Sequence, residues 1–398
     1  MDVKILGTRG IPASHGGFET FAEDLAIYLT ERGHRVTVYC QTAKPLESHE
    51  DMWNGIHRVH ICSRPGALGT IAFDFAAVLH SLRCPGVNLV LGYNTAVFSV
   101  LYILRRRVCL TNMDGIEWKR KKWTYLQRIW LRLNEYAGAK VSTHLIADHP
   151  EIAHHLEQHV PSKKITMIPY GADPASDADL DQHSYESLKT LGLVPDRYAI
   201  IIARPEPENS LLEIVQAFSA KDRGIKLVVL GKFEPDDNHY HKQVLTAAAP
   251  TVLFPGAIYD RKLVKALRLC ARVYVHGHCV GGTNPSLVEA MAAGSAIIAH
   301  DNIFTRWVTG PGAVYFSDAT GLSSIFDSLL SDNERLSSLR QSSRRRYLEG
   351  FTQDAILGKY EALIQSFSGE RWSGKLSSED PALSCTAGNP VTSRTNRK

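Results

Sequence analysis

A glycine pair, a helix-capping pair and one acid lie close together in the C-terminal half of the chain. Gly281 and Gly282 follow the β-forming run that begins at Val273, and Asn284 and Pro285 suit the N-cap and first position of a helix. Free amides at a helix start behind a glycine loop bind anions. Glu289, just past the first turn, could then hold hydroxyl groups of a ligand whose phosphates sit on those amides. The alternative is an ordinary βα unit with a solvated glutamate.

A second glycine pair, Gly16 and Gly17, ends a long loop before a helix predicted over 18–32. It is a second candidate phosphate cradle, and turn formation alone is the alternative. The dinucleotide fingerprint is not met, because the first loop reads Gly-x-x-Gly and the second strand ends in Cys40-Gln41 rather than an acid. This argues against an NAD-dependent oxidoreductase.

Polar residues also follow other predicted strands. Asp114, after a strand near 108–112, could orient or deprotonate a hydroxyl group, or could simply form a turn. Lys232, after a strand over 226–230, could supply charge to an anion or be a solvated loop lysine. Asn209 is expected to cap a helix that begins at residue 210. His276 and His278 alternate on a strand end, but no carboxylate cluster accompanies them, so we predict no metal and no cofactor.

The stretch from Trp118 to Trp123 joins two tryptophans to Lys119, Arg120 and two further lysines. This composition suits phosphate contact at a lipid headgroup layer, so we predict that the stretch touches a membrane surface or an acceptor there. A solvated basic helix start is the alternative.

Composition describes an ordinary globular protein of two or three domains, with 398 residues, 44% hydrophobic and 22% charged. The net charge of +4 is too small to indicate a nucleic-acid partner. Seven cysteines without a C-x-x-C pair read as reduced, cytosolic thiols. We expect no signal peptide and no membrane span, because the most apolar run, 89–104, is broken by polar residues.

Strands and helices alternate along the chain, which predicts an α/β fold of two Rossmann-like, doubly wound domains facing a cleft. The predicted parts are an N-terminal domain over 1–173, a C-terminal domain over 174–349, a helix over 350–367 and a disordered tail over 368–398. In the first part we expect strands near 58–62, 87–91, 108–112 and 143–147, and helices near 70–82, 95–105 and 123–138. The region 174–196 is expected to be a polar connection.

The stretch ending in Glu289-Ala-Met-Ala-Ala-Gly resembles the signature of the retaining family 4 glycosyltransferases, which have the GT-B fold. Glu289 matches the second signature glutamate, which implies contact with the nucleotide ribose. The first signature glutamate would fall at Gly281, so donor-sugar recognition departs from the family pattern. Arg204 matches the arginine that the family places on the donor diphosphate, but the accompanying lysine position is Asn209 or Ser210, and Lys232 is expected to replace that charge. The motifs Gly-Gly-Thr-Asn-Pro-Ser and Gly-Thr-Arg-Gly-Ile-Pro are similar to those of bacterial rhamnosyltransferases of surface-polysaccharide assembly.

The resemblance implies transfer of a hexosyl group with retention, from dTDP-L-rhamnose to a lipid-linked saccharide, at the inner face of the cell membrane. Arg204 and Asp114 would be the catalytic residues, with Trp118, Lys119, Arg120 and Trp123 toward the acceptor or the membrane. The implied donor-binding residues are Gly16, Gly17, Lys232, His278, Gly281, Gly282, Thr283, Asn284, Ser286 and Glu289. The alternatives are a UDP-glucose or GDP-mannose donor, or a saccharide-binding protein without catalysis.

Overall fold

The computed structural model describes residues 1–13, 16–43, 49–120 and 123–368. Within them the chain forms two β-sheets whose strands are parallel, except for one antiparallel pair at the edge of the first sheet. Helices pack against both sheets. We refer to the first sheet with its helices as the N-terminal domain and to the second as the C-terminal domain.

The N-terminal sheet has eight strands in the order β3-β4-β2-β1-β5-β6-β7-β8. These strands are β1 Asp2–Leu6, β2 Arg35–Thr42, β3 Glu50–Trp53, β4 Ile56–Cys62, β5 Val87–Leu91, β6 Cys109–Asn112, β7 His144–Ala147 and β8 Ile165–Met167. The helices of this domain are α1 Gly17–Glu31, α2 Ala67–Ser81, α3 Val100–Leu104, α4 Tyr125–Val141 and α5 Pro150–Glu157. Short 3-10 turns cover Ala96–Ser99, Glu117–Lys119 and Ser162–Lys164.

The C-terminal sheet has six strands in the order β11-β10-β9-β12-β13-β14. These strands are β9 Tyr198–Ile202, β10 Lys226–Leu230, β11 Val252–Gly256, β12 Val273–His276, β13 Ile297–His300 and β14 Ala313–Phe316. The helices that follow the first domain are α6 Gln182–Thr190, α7 Leu211–Ser219, α8 His239–Thr246, α9 Arg261–Leu269, α10 Pro285–Ala292, α11 Ile303–Thr309, α12 Ala319–Leu329, α13 Asn333–Gly350 and α14 Gln353–Ser366. Further 3-10 turns cover Asp177–Asp179, Pro207–Asn209 and Gly310–Gly312.

The strand order reverses between β1 and β5 in the first sheet and between β9 and β12 in the second. In doubly wound sheets ligands bind in the crevice beyond the carboxyl ends of the strands at such a reversal. The loops that follow β9 and β12 therefore mark where a ligand of the C-terminal domain is expected.

Helix α14 returns to the N-terminal domain and completes its core. Ile356, Leu357 and Ile364 are buried in the same apolar cluster as β1, β2 and α1. The hydroxyl of Tyr360 accepts a hydrogen bond from Asn112 Nδ2 at the end of β6 (2.8 Å). The predicted crossing helix is thus confirmed, and it begins three residues later than expected.

The expected alternation of strands and helices is confirmed in both halves, with boundaries that differ by a few residues. Two features differ from the predictions, and a third prediction falls outside the described residues. Strand β3 was not predicted, since its sequence Glu-Asp-Met-Trp is polar and half-exposed at the sheet edge. Helix α6 lies inside the region expected to be a connection; Asp181 caps it by accepting from the Ser184 amide (2.8 Å). The tail expected to be disordered lies, beyond residue 368, outside the described residues.

None of the helices in the described part of the chain is both long and apolar enough to cross a lipid bilayer.

Candidate active site

The glycine loop and the start of α10 form as the sequence predicts. Asn284 caps the helix by accepting a hydrogen bond from the Ser286 amide (3.0 Å), and Pro285 occupies its first position. Gly281 has φ +94°, a conformation that residues with a side chain rarely adopt. The loop therefore requires glycine at this position for its backbone path.

Fewer amides of residues 282–286 are open to a ligand than the sequence suggested. Pro285 has no N–H, the Ser286 N–H is used by the cap, and the Thr283 N–H donates to Asp148 Oδ2 of the N-terminal domain (3.0 Å). The Thr283 hydroxyl also donates to the main-chain oxygen of Asp148. An incoming phosphate must therefore displace Asp148 before it can bind the Thr283 amide.

The two domains touch at this loop. The contact is possible because residues at the contact are glycines, which have no side chain. A Cβ added to Gly282 would lie 2.0 and 2.2 Å from the carboxylate oxygens of Asp148. A Cβ added to Gly115 would lie 3.2 Å from the Cα of Gly281. Glycine is thus needed at 282 because the N-terminal domain packs directly against it. This reason is separate from the expected need to let a ligand approach the backbone.

Asp148 follows β7 and is 2% exposed. Its Oδ1 atom is buried without a hydrogen-bond partner. Burial, followed by the nearby charge of Asp114, raises the pKa of Asp148 to about 8. Its carboxyl group therefore favours the protonated form at neutral pH in this closed arrangement.

Asp114 lies at the carboxyl end of β6, as predicted. It adopts φ +48°, which is unusual for a residue other than glycine, and its amide donates to Asn112 Oδ1 (2.8 Å). Burial and then the charge of Glu117 raise the pKa of Asp114 to about 6. A strained residue with such a pKa at a cleft is suited to accept a proton near neutral pH.

His278 and Arg204 are connected through Asn209. The Asn209 side chain donates from Nδ2 to the Arg204 main-chain oxygen (2.8 Å), so its Oδ1 accepts from His278 Nδ1 (2.8 Å). Burial lowers the pKa of His278 well below its usual value, and the imidazole is neutral with Nε2 as an acceptor. That atom lies beside Gly281, 3.4 Å from where a Cβ would stand. The expected N-cap role of Asn209 is therefore wrong: α7 begins at Leu211, and the amide is needed to join the two loops.

Arg120 lies inside the cleft rather than on the surface. Its Nε is 2.7 Å from Glu117 Oε1, and its Nη1 is 3.1 Å from Glu208 Oε1 across the domain boundary. Only 11% of its side chain is exposed. Because two carboxylates hold the guanidinium here, Arg120 is not placed to touch a lipid headgroup.

Glu289 lies one turn into α10 and forms an ion pair with Arg268 of α9. Arg268 also donates to the Ser286 hydroxyl (3.1 Å), which contacts the Tyr274 hydroxyl (2.8 Å). The Glu289 side chain remains 42% exposed. Its orientation is thus fixed by a buried arginine while part of the carboxylate still faces solvent.

Gly17 faces the same helix start from the N-terminal domain, since a Cβ added there would lie 3.5 Å from Pro285 Cγ. Gly16 directly precedes α1 at this position. Lys232 instead is 72% exposed and pairs with Glu234 (2.7 Å). The structure thus brings the glycine pair at 16 and 17 to the cleft, whereas Lys232 is engaged by Glu234 outside it.

The two tryptophans of the predicted membrane stretch turn their indole N–H groups inward. Trp118 donates to Glu135 (2.9 Å) and Trp123 donates to Glu117 (3.3 Å). Lys119 lies exposed above the Trp118 ring. Lys121 and Lys122, which belong to the same expectation, lie outside the described residues.

Of the two histidines considered as metal ligands, His276 is buried and His278 is partly buried, and their ring centroids lie 6.2 Å apart. Within the residues that the structure describes, ligand atoms of Glu135, His155 and His159 lie within 4.8 Å of one another. The His155 ring is hydrogen-bonded to Glu135 Oε1 (2.8 Å), so these side chains satisfy one another beside Trp118.

Sequence reasoning missed three residues of the cleft region: Asp148, Glu208 and Arg268. Asp148, like Asp114, is an acid that follows a buried strand, so the same sequence pattern could have identified it as a candidate. Glu208 and Arg268 lie in a polar turn and on a helix, and their partners Arg120 and Glu289 are distant in sequence. No local pattern indicates those pairs.

Two family models match the chain, one in each domain. Residues 1–173 match a domain of unknown function (DUF1972), and residues 189–346 match "Glycosyl transferases group 1". The second match covers most of the C-terminal domain, which is therefore similar to group 1 glycosyltransferases. A comparison of the sequence with curated proteins gives no match.

Several solved structures align with this chain over more than nine-tenths of its length. Sucrose-phosphate synthase from Thermosynechococcus elongatus aligns with a TM-score of 0.76 at 17% identity, over 92% of this chain and 98% of that one. Anabaena HepE in complex with UDP aligns with a TM-score of 0.70 at 15% identity, over 92% and 100%. The α,α-trehalose 6-phosphate synthase of Burkholderia multivorans aligns with a TM-score of 0.70 at 10% identity, over 92% and 96%. The fold is therefore GT-B, as predicted.

Proposed function

We propose that the protein is a retaining hexosyltransferase that transfers L-rhamnose from dTDP-L-rhamnose to a lipid-linked saccharide in cell-surface polysaccharide biosynthesis. The donor would occupy the cleft between the glycine loop at 281–283 and the strand ends that carry Asp114 and Asp148. The match of the C-terminal domain to group 1 glycosyltransferases supports a nucleotide-sugar donor. HepE, of the same fold, binds UDP-glucose.

The observation that carries the sugar assignment is the surroundings of Gly281. The position has no side chain, its φ of +94° disfavours one, and it faces the neutral His278 ring and Arg120. The C-terminal domain thus presents no carboxylate at this position for a sugar hydroxyl. A deoxyhexose, with a methyl group in place of one hydroxymethyl group, leaves fewer polar groups to satisfy.

In the proposed reaction the Arg204 guanidinium and the loop amides stabilise the charge that grows on the leaving diphosphate. Asp114, with its pKa of about 6, orients the acceptor hydroxyl, and the departing diphosphate accepts its proton. Glu289 holds the ribose. Gly16 and Gly17 let the N-terminal loop approach the donor closely, and Thr283, Asn284 and Ser286 shape the helix start beneath it.

The acceptor is proposed to be lipid-linked, so the enzyme would work in the cytoplasm at the inner face of the cell membrane. The exposed Lys119 remains a candidate contact near the lipid surface, together with the rim of the Trp118 and Trp123 stretch. The inward indole N–H groups and the buried Arg120 shift the expected contact toward the neighbouring helix α4.

A donor panel with a polyisoprenyl-diphosphate saccharide as acceptor tests the assignment, with nucleotide release and product mass as readouts. We expect dTDP-rhamnose to be used at least tenfold better, as kcat/KM, than dTDP-glucose, a gap of about 1.4 kcal/mol. A preference for UDP-glucose or GDP-mannose would show that the rhamnose assignment is wrong, while the proposal of a hexosyltransferase would still hold. Binding of donors without any nucleotide release would instead indicate a saccharide-binding protein.

A further inference from the structure

Helix α4 has its apolar face toward solvent. Leu131, Asn134, Glu135, Gly138 and Ala139 form its buried side. The opposite side exposes six large apolar or aromatic residues, each 39 to 77% exposed: Tyr125, Leu126, Ile129, Trp130, Leu133 and Tyr136. A helix of a globular protein normally exposes its polar side, so this face is expected to contact something other than water.

The apolar surface continues onto neighbouring elements. Trp130 Nε1 donates to the Asn94 main-chain oxygen (3.0 Å), which fixes α4 beside the turn at Ala96–Ser99. That turn and α3 expose Val97, Val100 and Leu104, and the Phe98 ring packs at a tilt against Phe75 of α2, with centroids 5.1 Å apart. Helix α2 adds the exposed Leu68 and Leu79. Of the eighteen exposed large hydrophobic residues in the described chain, twelve belong to this surface.

The part of the sequence that carries this surface is strongly basic. Residues 63–142 contain twelve Lys and Arg against four Asp and Glu, a net charge of +8, whereas the whole chain carries +4. None of the four acids is exposed: Asp74 accepts a hydrogen bond from Thr95, Asp114 and Glu117 lie in the cleft, and Glu135 is buried. Arg105, Arg106 and Arg132 are exposed beside the apolar residues.

We propose that this surface, formed by α4, the turn at Ala96–Ser99, α3 and the exposed side of α2, docks the enzyme on an anionic lipid bilayer. An apolar face with aromatic residues inserts at the boundary of headgroups and acyl chains, and the basic rim binds the acidic headgroups. A second copy of the chain is a poorer partner, because pairing these surfaces would bring two strongly positive patches together. The inference deepens the proposed function, since it names the surface through which a lipid-linked acceptor would be reached.

Co-sedimentation of the full chain with phosphatidylglycerol-containing vesicles and with phosphatidylcholine vesicles tests the proposal without any sugar. We expect binding that requires the anionic lipid, weakens in 0.5 M NaCl, and falls at least tenfold in Leu126→Gln/Leu133→Gln. The matched control is Val194→Gln/Leu348→Gln, which replaces two similarly exposed apolar residues elsewhere and is expected to bind as the wild type does. Arg105→Gln/Arg106→Gln should weaken binding while leaving the melting temperature unchanged.

Equal binding of wild type and Leu126→Gln/Leu133→Gln to anionic vesicles would overturn the proposal. A dimer in analytical ultracentrifugation that this double variant dissociates would also overturn it, by showing that a second copy covers the face. Failure of sugar transfer with vesicle binding intact would count against the proposed reaction alone.

Discussion

Arg204 and Lys232 follow adjacent strands of the C-terminal sheet, but their surroundings differ. Lys232 is ion-paired with Glu234 at an exposed position. Arg204 is close enough to Asp114 to lower the pKa of that carboxyl group, although burial outweighs this effect. Its loop is tied to His278 through Asn209, so its guanidinium is held near the cleft.

Replacing Arg204 by alanine is therefore expected to lower kcat by about 10²-fold and donor affinity by less than about tenfold, because charge grows on the diphosphate only in the transition state. Steady-state kinetics for kcat and calorimetry for nucleotide-sugar binding separate the two effects. Lys232→Ala is the comparison, and we expect it to change kcat by less than about threefold. Unchanged turnover in Arg204→Ala would remove this residue from the mechanism.

Single residues were predictable where a local pattern carries the chemistry. Asp114 follows a buried strand, and Asn284 with Pro285 marks a helix start, so both were placed from sequence. Asn209 shows where such patterns fail. An asparagine suits an N-cap, but the hydrogen bonds of Asn209 with Arg204 and His278 bridge two loops. A local sequence pattern does not reveal such tertiary partners.

The elements were predictable to the extent that hydrophobic periodicity controls them. Buried strands such as β5 and the amphipathic helices α1 and α2 appear where the pattern indicates. Helix α4 also forms, but its exposed apolar side is invisible to a pattern that assumes apolar residues face the core. The inward orientation of the two indole N–H groups was not predictable for a similar reason, because their hydrogen bonds to Glu135 and Glu117 form only in the folded chain.

The glycine loop gives a prediction at the scale of an element. Alanine at 282 would place its Cβ within 2.2 Å of both Asp148 oxygens, so the loop and β7 cannot keep their present contact. We expect Gly282→Ala to lower the free energy of unfolding by about 1–3 kcal/mol. Equilibrium unfolding in urea measures this change in the free energy of unfolding. Gly350→Ala is a control, because its Cβ would meet nothing within 4 Å.

The double variant Gly282→Ala/Asp148→Ala isolates the clash. Removing the carboxyl group opens the space that the new methyl group needs, so the double variant should be less destabilised than the two single effects added together. Simple additivity of the two effects would show that the two residues do not touch.

At the scale of the whole molecule, Asp148 links domain closure to pH. Its pKa of about 8 in the folded protein exceeds the value of 3.8 expected in an unfolded chain. Between these values the folded protein retains a proton that the unfolded chain releases. The free energy of unfolding therefore falls as pH rises through this window, and this carboxyl group lowers it no further well above pH 8.

Asparagine at 148 is neutral throughout and should remove this dependence. We expect the free energy of unfolding of Asp148→Asn to fall less between pH 5 and pH 8 than that of the wild type, by about 1–3 kcal/mol in urea titrations at the two pH values. The exposed Asp237→Asn serves as a control and should follow the wild type. Identical pH dependence in Asp148→Asn and the wild type would show that the carboxyl group is not held protonated.

The chain passes between the domains twice, and the two passages lie side by side. The Ala172 amide donates to the Phe351 oxygen (3.0 Å), and the Gln353 amide donates to the Ala172 oxygen (2.9 Å). Two neighbouring tethers joined in this way act as one hinge axis. We therefore expect the domains to rotate about this axis, so that opening separates Asp148 from the glycine loop, where the proposed donor would enter.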